Sequence, residues 1–287
     1  MLAGSVALRA ASKLVDTHVH FFDPKKFPYH PRATYQPPPE RVEDYAVFAR
    51  EAGITHTVIV HPEPYQDDHR YLDYCFTQEP SSTRFLGTCL LDALDPKTPA
   101  RMRDLKKRYD GRLIALRVHA MNAPGEPPLV SGPIKNRDLA APQMAKVWSA
   151  AGEVGIAIQV HFLPHHAPAI AKLAAAHPGT KVILDHLGRF GMGDAKAADQ
   201  VLSLAQHANT VLKFSGWGYS SKDPVPHADL APFMKRAIAA FGERIVWGGL
   251  GHDAFAHVKA KAVFDTLLAA ATPAQRQAIR EARALAI

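Results

Sequence analysis

Cysteine is scarce: Cys75 and Cys89 are the only two in 287 residues. They stand in a helix-like and a strand-like stretch without CxxC spacing, which excludes a disulfide framework and makes both packed thiols. No stretch approaches the roughly 18 apolar residues of a membrane span, so a soluble, cytoplasmic protein with no membrane partner is expected. The net charge of +7 comes without any long basic run or aromatic-interleaved basic stripe. That argues against a nucleic-acid partner and for a small anionic substrate. No GxGxxG follows the first strand-like run, which counts against a doubly wound dinucleotide-binding sheet. Residues 1–12 (MLAGSVALRAAS) resemble the apolar end of an export signal but lack its basic start. They read as a disordered N-terminal extension; a trimmed export signal, implying a periplasmic protein, is the alternative.

What the chain does have is alternation. Apolar, β-branched runs begin at Leu14, Thr55, Arg84, Leu113, Ile156, Lys181, Thr210 and Arg244. The gaps between them are too long for hairpins and long enough for helices. Pro142 stands at a first-turn position, Phe264, Leu267, Leu268 and Ala271 trace one buried helix face, and Thr272, Pro273 and Gln275 form a capping-box-like start. Eight strand and helix units predict an α/β fold, a single (β/α)8 barrel over residues 13–287, because eight strands close a barrel and about 250 residues fill one. The stretch 23–40 carries six prolines and cannot be regular helix; 122–142 is similar. These extended loops after strands 1 and 4 fall on the face where barrels build active sites, as candidate walls or lids.

Histidine is the surplus, with sixteen copies. Seven of them (His18, His20, His61, His119, His161, His186 and His252) fall at or just after strand C-termini. His18 and His20 alternate with Asp16 on strand 1, so both imidazoles face one side and offer half of a divalent metal site. His161 closes strand 5 and His186 strand 6, so four imidazoles can converge at the barrel mouth. Arg117 and His119 alternate on strand 4, and Lys213, Ser215 and Trp217 on strand 7. A guanidinium forks onto a carboxylate, which suits an acidic substrate; the alternative is that Arg117 and Lys213 pair with barrel carboxylates such as Asp16. His61, Glu63 and Tyr65 follow strand 2 and could line the mouth. His56, at the opposite strand end, and the helix histidines are expected to serve packing or solvation.

With VDTHVHFFDP at Val15 to Pro24, ILDHLGRFG at Ile183 to Gly191, VLKFSGW at Val211 to Trp217 and RIVWG at Arg244 to Gly248, the chain resembles the amidohydrolase superfamily. Within it the resemblance is to the amidohydrolase-related (amidohydrolase 2) branch, which includes 2-pyrone-4,6-dicarboxylate lactonase and sugar-acid lactonases. The resemblance implies a hydrolase opening a small anionic lactone or cyclic ester by water attack. It further implies His18, His20 and His161 as ligands of one divalent ion, zinc first, with His186 orienting or activating water. Some members of the branch work without metal and use the same histidines on substrate. Arg117, His119, Lys213, Trp217, His61 and Tyr65 are then candidate substrate contacts. The sequence departs at strand 8, where relatives read WGSDWP and this chain has Leu250 in place of the aspartate. Asp253, together with His252, is the candidate to bend back into the site; a degenerate binding protein and a metal-dependent decarboxylase are the other readings.

Overall fold

The computed structural model describes residues 13–287; the expected N-terminal extension lies outside the described residues. Apolar and β-branched runs form eight parallel strands: β1 (Val15–Val19), β2 (His56–Val60), β3 (Arg84–Leu90), β4 (Leu113–Ala120), β5 (Ala157–Phe162), β6 (Val182–Leu184), β7 (Thr210–Phe214) and β8 (Ile245–Trp247). They hydrogen-bond in chain order from β1 to β8. Helices α1 (Val42–Glu51), α2 (Arg70–Thr77), α3 (Thr98–Arg108), α4 (Pro142–Glu153), α5 (Ala167–Ala176), α6 (Ala197–Ser203) and α7 (Ala231–Phe241) connect them, and α8 (Ala254–Leu267) and α9 (Pro273–Arg280) follow β8. This is the expected (β/α)8 barrel.

Local chemistry sets the helix starts. Pro142 occupies the first turn of α4, where a missing N–H costs nothing. Thr272 and Gln275 close the predicted capping box of α9. The main apolar core, with Trp148, Phe85 and Phe162 fully buried, includes side chains of both strands and helices. Smaller clusters around Val15, Val58 and Ala115 pack against Leu285 and Ile287 near the strand N-termini. The C-terminal residues thus cover that end of the barrel, and the polar chemistry collects at the other.

No backbone ladder joins β1 to β8 among the described residues; side chains make that seam. Thr17 Oγ1 donates to the Trp247 carbonyl at 2.8 Å. The buried Asp16 carboxylate accepts from the backbone N–H groups of His18, Gly249 and Leu250 at 3.0, 2.8 and 3.1 Å. Gly248 permits the approach, since a Cβ there would lie 2.8 Å from both His18 Cβ and Thr17 Oγ1. Replacing the acceptor strands buried donors, each costing about 1–3 kcal/mol. Asp16→Ala should therefore lower the urea midpoint and speed amide exchange at Gly249 and Leu250; unchanged exchange there would show that the seam is held by something else.

Candidate active site

Five imidazoles gather at the C-terminal ends of the strands. The ring of His18 lies 4.8 Å from His20 and 4.5 Å from His186; His186 lies 5.2 Å from His161, and His161 5.4 Å from His119. Burial pushes the pKa of His18, His20, His119 and His161 well below the ordinary imidazole value, and that of His186 down to about 3. All five are neutral near pH 7. The Nε2 atoms of His119 and His161 are buried and have no hydrogen-bond partner among the described residues, so they are free to hold something else.

The centre of the cluster is a residue the sequence reading did not single out. Asp185 is fully buried between Arg117 Nη2 and Lys213 Nζ, each 3.2 Å from one of its oxygens, and also accepts from Gln159 Nε2 at 2.9 Å. Burial alone would raise its pKa, but the Lys213 and Arg117 charges outweigh it and hold the carboxylate ionised. Arg117 and Lys213 are thus internal ion-pair partners of a barrel carboxylate, with Asp185 in the place expected of Asp16. The signal for Asp185 was its position before His186 at the end of an apolar strand, where a carboxylate is affordable only with partners.

His186 is presented by an unusual turn. β6 stops at Leu184, and His186, Leu187, Gly188 and Arg189 all take left-handed dihedrals, with φ of 53, 55, 63 and 47°. Left-handed backbone costs about 1–2 kcal/mol at each non-glycine residue. At Gly188 a Cβ would also meet Val201 Cγ2 at 2.6 Å. From the end of the neighbouring strand β7, Ser215 Oγ lies 2.9 Å from His186 Nδ1, and Gly216 clears the space for that imidazole.

The other candidates are dispersed. Asp253 is exposed and caps α8 by accepting from Ala256 N at 2.8 Å, and His252 packs beside Tyr45 and Phe21; neither joins the cluster. His61 bonds the Gln66 carbonyl through Nε2 at 3.0 Å, and the Tyr65 hydroxyl accepts from Asp23 N at 2.8 Å. Both are buried and hold loop backbone. Glu63 accepts from Thr34 N and Gln66 Nε2, and Gln66 Oε1 accepts from Ile134 N. Glu63 and Gln66 therefore tie both long loops to the β2 side of the mouth. Trp217 is half-buried against Phe214, its Nε1 unpartnered among the described residues.

One histidine pair has the spacing of metal ligands, but its surroundings do not complete a metal site. His18 Nε2 and His20 Nε2 are 3.1 Å apart, a separation two ligands of one ion can have, and His20 Nδ1 is anchored on the Val60 carbonyl at 2.6 Å. However, the Lys213 ammonium stands 3.4 Å from His18 Nδ1. Lys213 donating to His18 Nδ1, His18 Nε2–H to His20 Nε2, and His20 Nδ1–H to Val60 satisfies every contact, and it leaves His18 without a lone pair for an ion. Among the described residues, the trio whose ligand atoms lie within 4.8 Å of one another is His18, Asp185 and His186, not His18, His20 and His161. Its carboxylate is already neutralised by two cations. The set does not fit a divalent ion.

Residues 15–281 match the amidohydrolase family. The chain belongs to that family. Among curated relatives, it is 29% identical to 4-sulfomuconolactone hydrolase of Rhizobium radiobacter, over 81% of this chain and 73% of that protein. It is 26% identical to D-galactarolactone isomerase of Agrobacterium fabrum, over 82% and 74%. A probable 2-pyrone-4,6-dicarboxylic acid hydrolase from Acinetobacter baumannii, solved with citric acid bound, shares the fold at a TM-score of 0.71 and 17% identity, covering 96% of this chain and 100% of that one. An amidohydrolase from Burkholderia multivorans with bound zinc does so at 0.71 and 15%, covering 96% and 99%.

Against that family background, Leu250 is fully buried in the apolar core, with its N–H on Asp16. Leu250→Asp would bury a carboxylate among apolar side chains, at a cost of about 2 kcal/mol or more. The variant should melt at a lower temperature without gaining turnover; a rise in activity at unchanged melting temperature would place position 250 in the site. The histidines set a pH dependence. Their folded pKa values lie below those of the unfolded chain, so the stability from keeping them neutral is full above pH 6.5 and is lost as pH falls toward about 3, the His186 value. The melting temperature should fall steadily from pH 6.5 to 4.5, and more gently in His186→Gln; an equal slope in both would exclude His186 as a contributor.

Proposed function

We propose that this amidohydrolase opens a small anionic lactone by water attack. The observation that carries the reading is the ring of neutral imidazoles, two with unpartnered Nε2 atoms, set around cations that outnumber the one central carboxylate. The kinship with proteins named for lactones supports it. With Nδ1–H donated to Ser215 Oγ, His186 presents an Nε2 lone pair to water. As the water oxygen bonds to the carbonyl carbon, its proton passes to His186, and Asp185 beside it stabilises the imidazolium. The Nε2–H groups of His119 and His161 hold the carbonyl oxygen, and the Arg117 and Lys213 charges favour its developing negative charge. Ring C–O cleavage follows, with the proton returned from His186 to the departing oxygen. No step is routed through a metal.

Turnover of a carboxylated lactone panel should survive dialysis against a chelator, and His186→Ala should lower kcat/KM by about 10²-fold or more with the fold retained. His18→Ala should do likewise, because it breaks the chain from Lys213 to Val60. Wild-type rates in both variants sink the reading. Carbon dioxide release would mark a decarboxylase instead, and loss of activity restored by zinc would return the metal to His18 and His20.

A further inference from the structure

At the end of the barrel opposite the imidazoles, a cavity of about 320 Å³ opens beneath the first residues of β4, β5 and β6. Ligand sites begin at roughly that size. Ile114, Ile156, Ile183, Leu285 and Ile287 give it apolar walls. Gly111, Gly155 and Gly179 border it, and a Cβ at any of the three would have no heavy atom within 4 Å. Two ammoniums break the apolar lining, those of Lys106 and Lys181, both half-buried. Among the described residues neither meets an aspartate or glutamate, and none lines the cavity. Lys106 Nζ donates to the Leu113 carbonyl at 3.0 Å and Lys181 Nζ to the Ala284 carbonyl, which uses one of three N–H groups on each. Burial lowers the Lys181 pKa with no anion to offset it. Two partly desolvated cations beside an apolar wall are complementary to an anion that carries an apolar body.

We propose that this cavity is a second ligand site, taking a small monocarboxylate whose apolar chain lies against Ile114, Ile183 and Leu285 and whose charge is neutralised by Lys106 and Lys181. Nothing in it depends on the lactone chemistry at the mouth. A ligand seated there ties the C-terminal segment to the strands that lead to Arg117, His161 and Asp185, so binding should raise the melting temperature. Calorimetric titration with octanoate should show saturable binding to the wild-type protein. Octanol, without the charge, and acetate, without the chain, should each bind about tenfold more weakly or worse. Hydrogen exchange should slow with octanoate at residues 153–157 and 283–287, not at the strand C-termini. Lys106→Met with Lys181→Met should erase the preference for octanoate over octanol, and arginine at both positions should keep it. Absence of octanoate binding overturns the proposal, as do equal binding of octanol, an unchanged preference in the methionine variant, or protection confined to the mouth. Should the methionine variant fail to fold, the exchange pattern of the wild type decides alone.

Discussion

One buried carboxylate organises the mouth of this barrel. Asp185 sits where water cannot solvate it, and only the two cations from β4 and β7, with the Gln159 amide from β5, make its charge tolerable. The same contacts orient Arg117 and Lys213, and Lys213 in turn fixes the proton arrangement of His18 and His20. Removing the carboxylate would strand two buried positive charges and free the imidazole chain at once. The cluster is better seen as one coupled unit than as separate ligands and binders.

A second carboxylate does the corresponding work for the barrel itself. Asp16 accepts three backbone N–H groups and ties β1 to the turn after β8. That turn carries Leu250, at the position where the family resemblance leads one to expect an aspartate. Its backbone has become part of the closure and its side chain part of the core. In the proposed reaction, proton handling falls to His186, raised into the mouth on a strained left-handed turn and steadied by Ser215. Strain of this kind persists only where surrounding packing over-determines it, here by Gly188 against Val201 and Gly216 against His186.

Much of this was legible in the chain. Apolar, β-branched runs at barrel spacing marked the eight strands, proline density marked the two irregular loops, and alternation on β1 put His18 and His20 on one side. The histidines at the ends of β4, β5 and β6 do meet that pair. His61 and Tyr65 carry the same residue chemistry and also follow a strand, yet their polar atoms are spent on Gln66 and Asp23. Spacing cannot distinguish a side chain facing a pocket from one facing its own loop.

The sequence by itself determined the barrel, the end of it that carries chemistry and the family, because strand alternation and local motifs act over a few residues. Tertiary structure alone decided the partners: Asp185 rather than Asp16 for Arg117 and Lys213, and a helix cap rather than the site for Asp253. Those outcomes depend on which side chains from strands far apart in the chain reach the same few ångströms of water-free space. Charge compensation there is settled by distance and burial, and neither is written in the local order of residues.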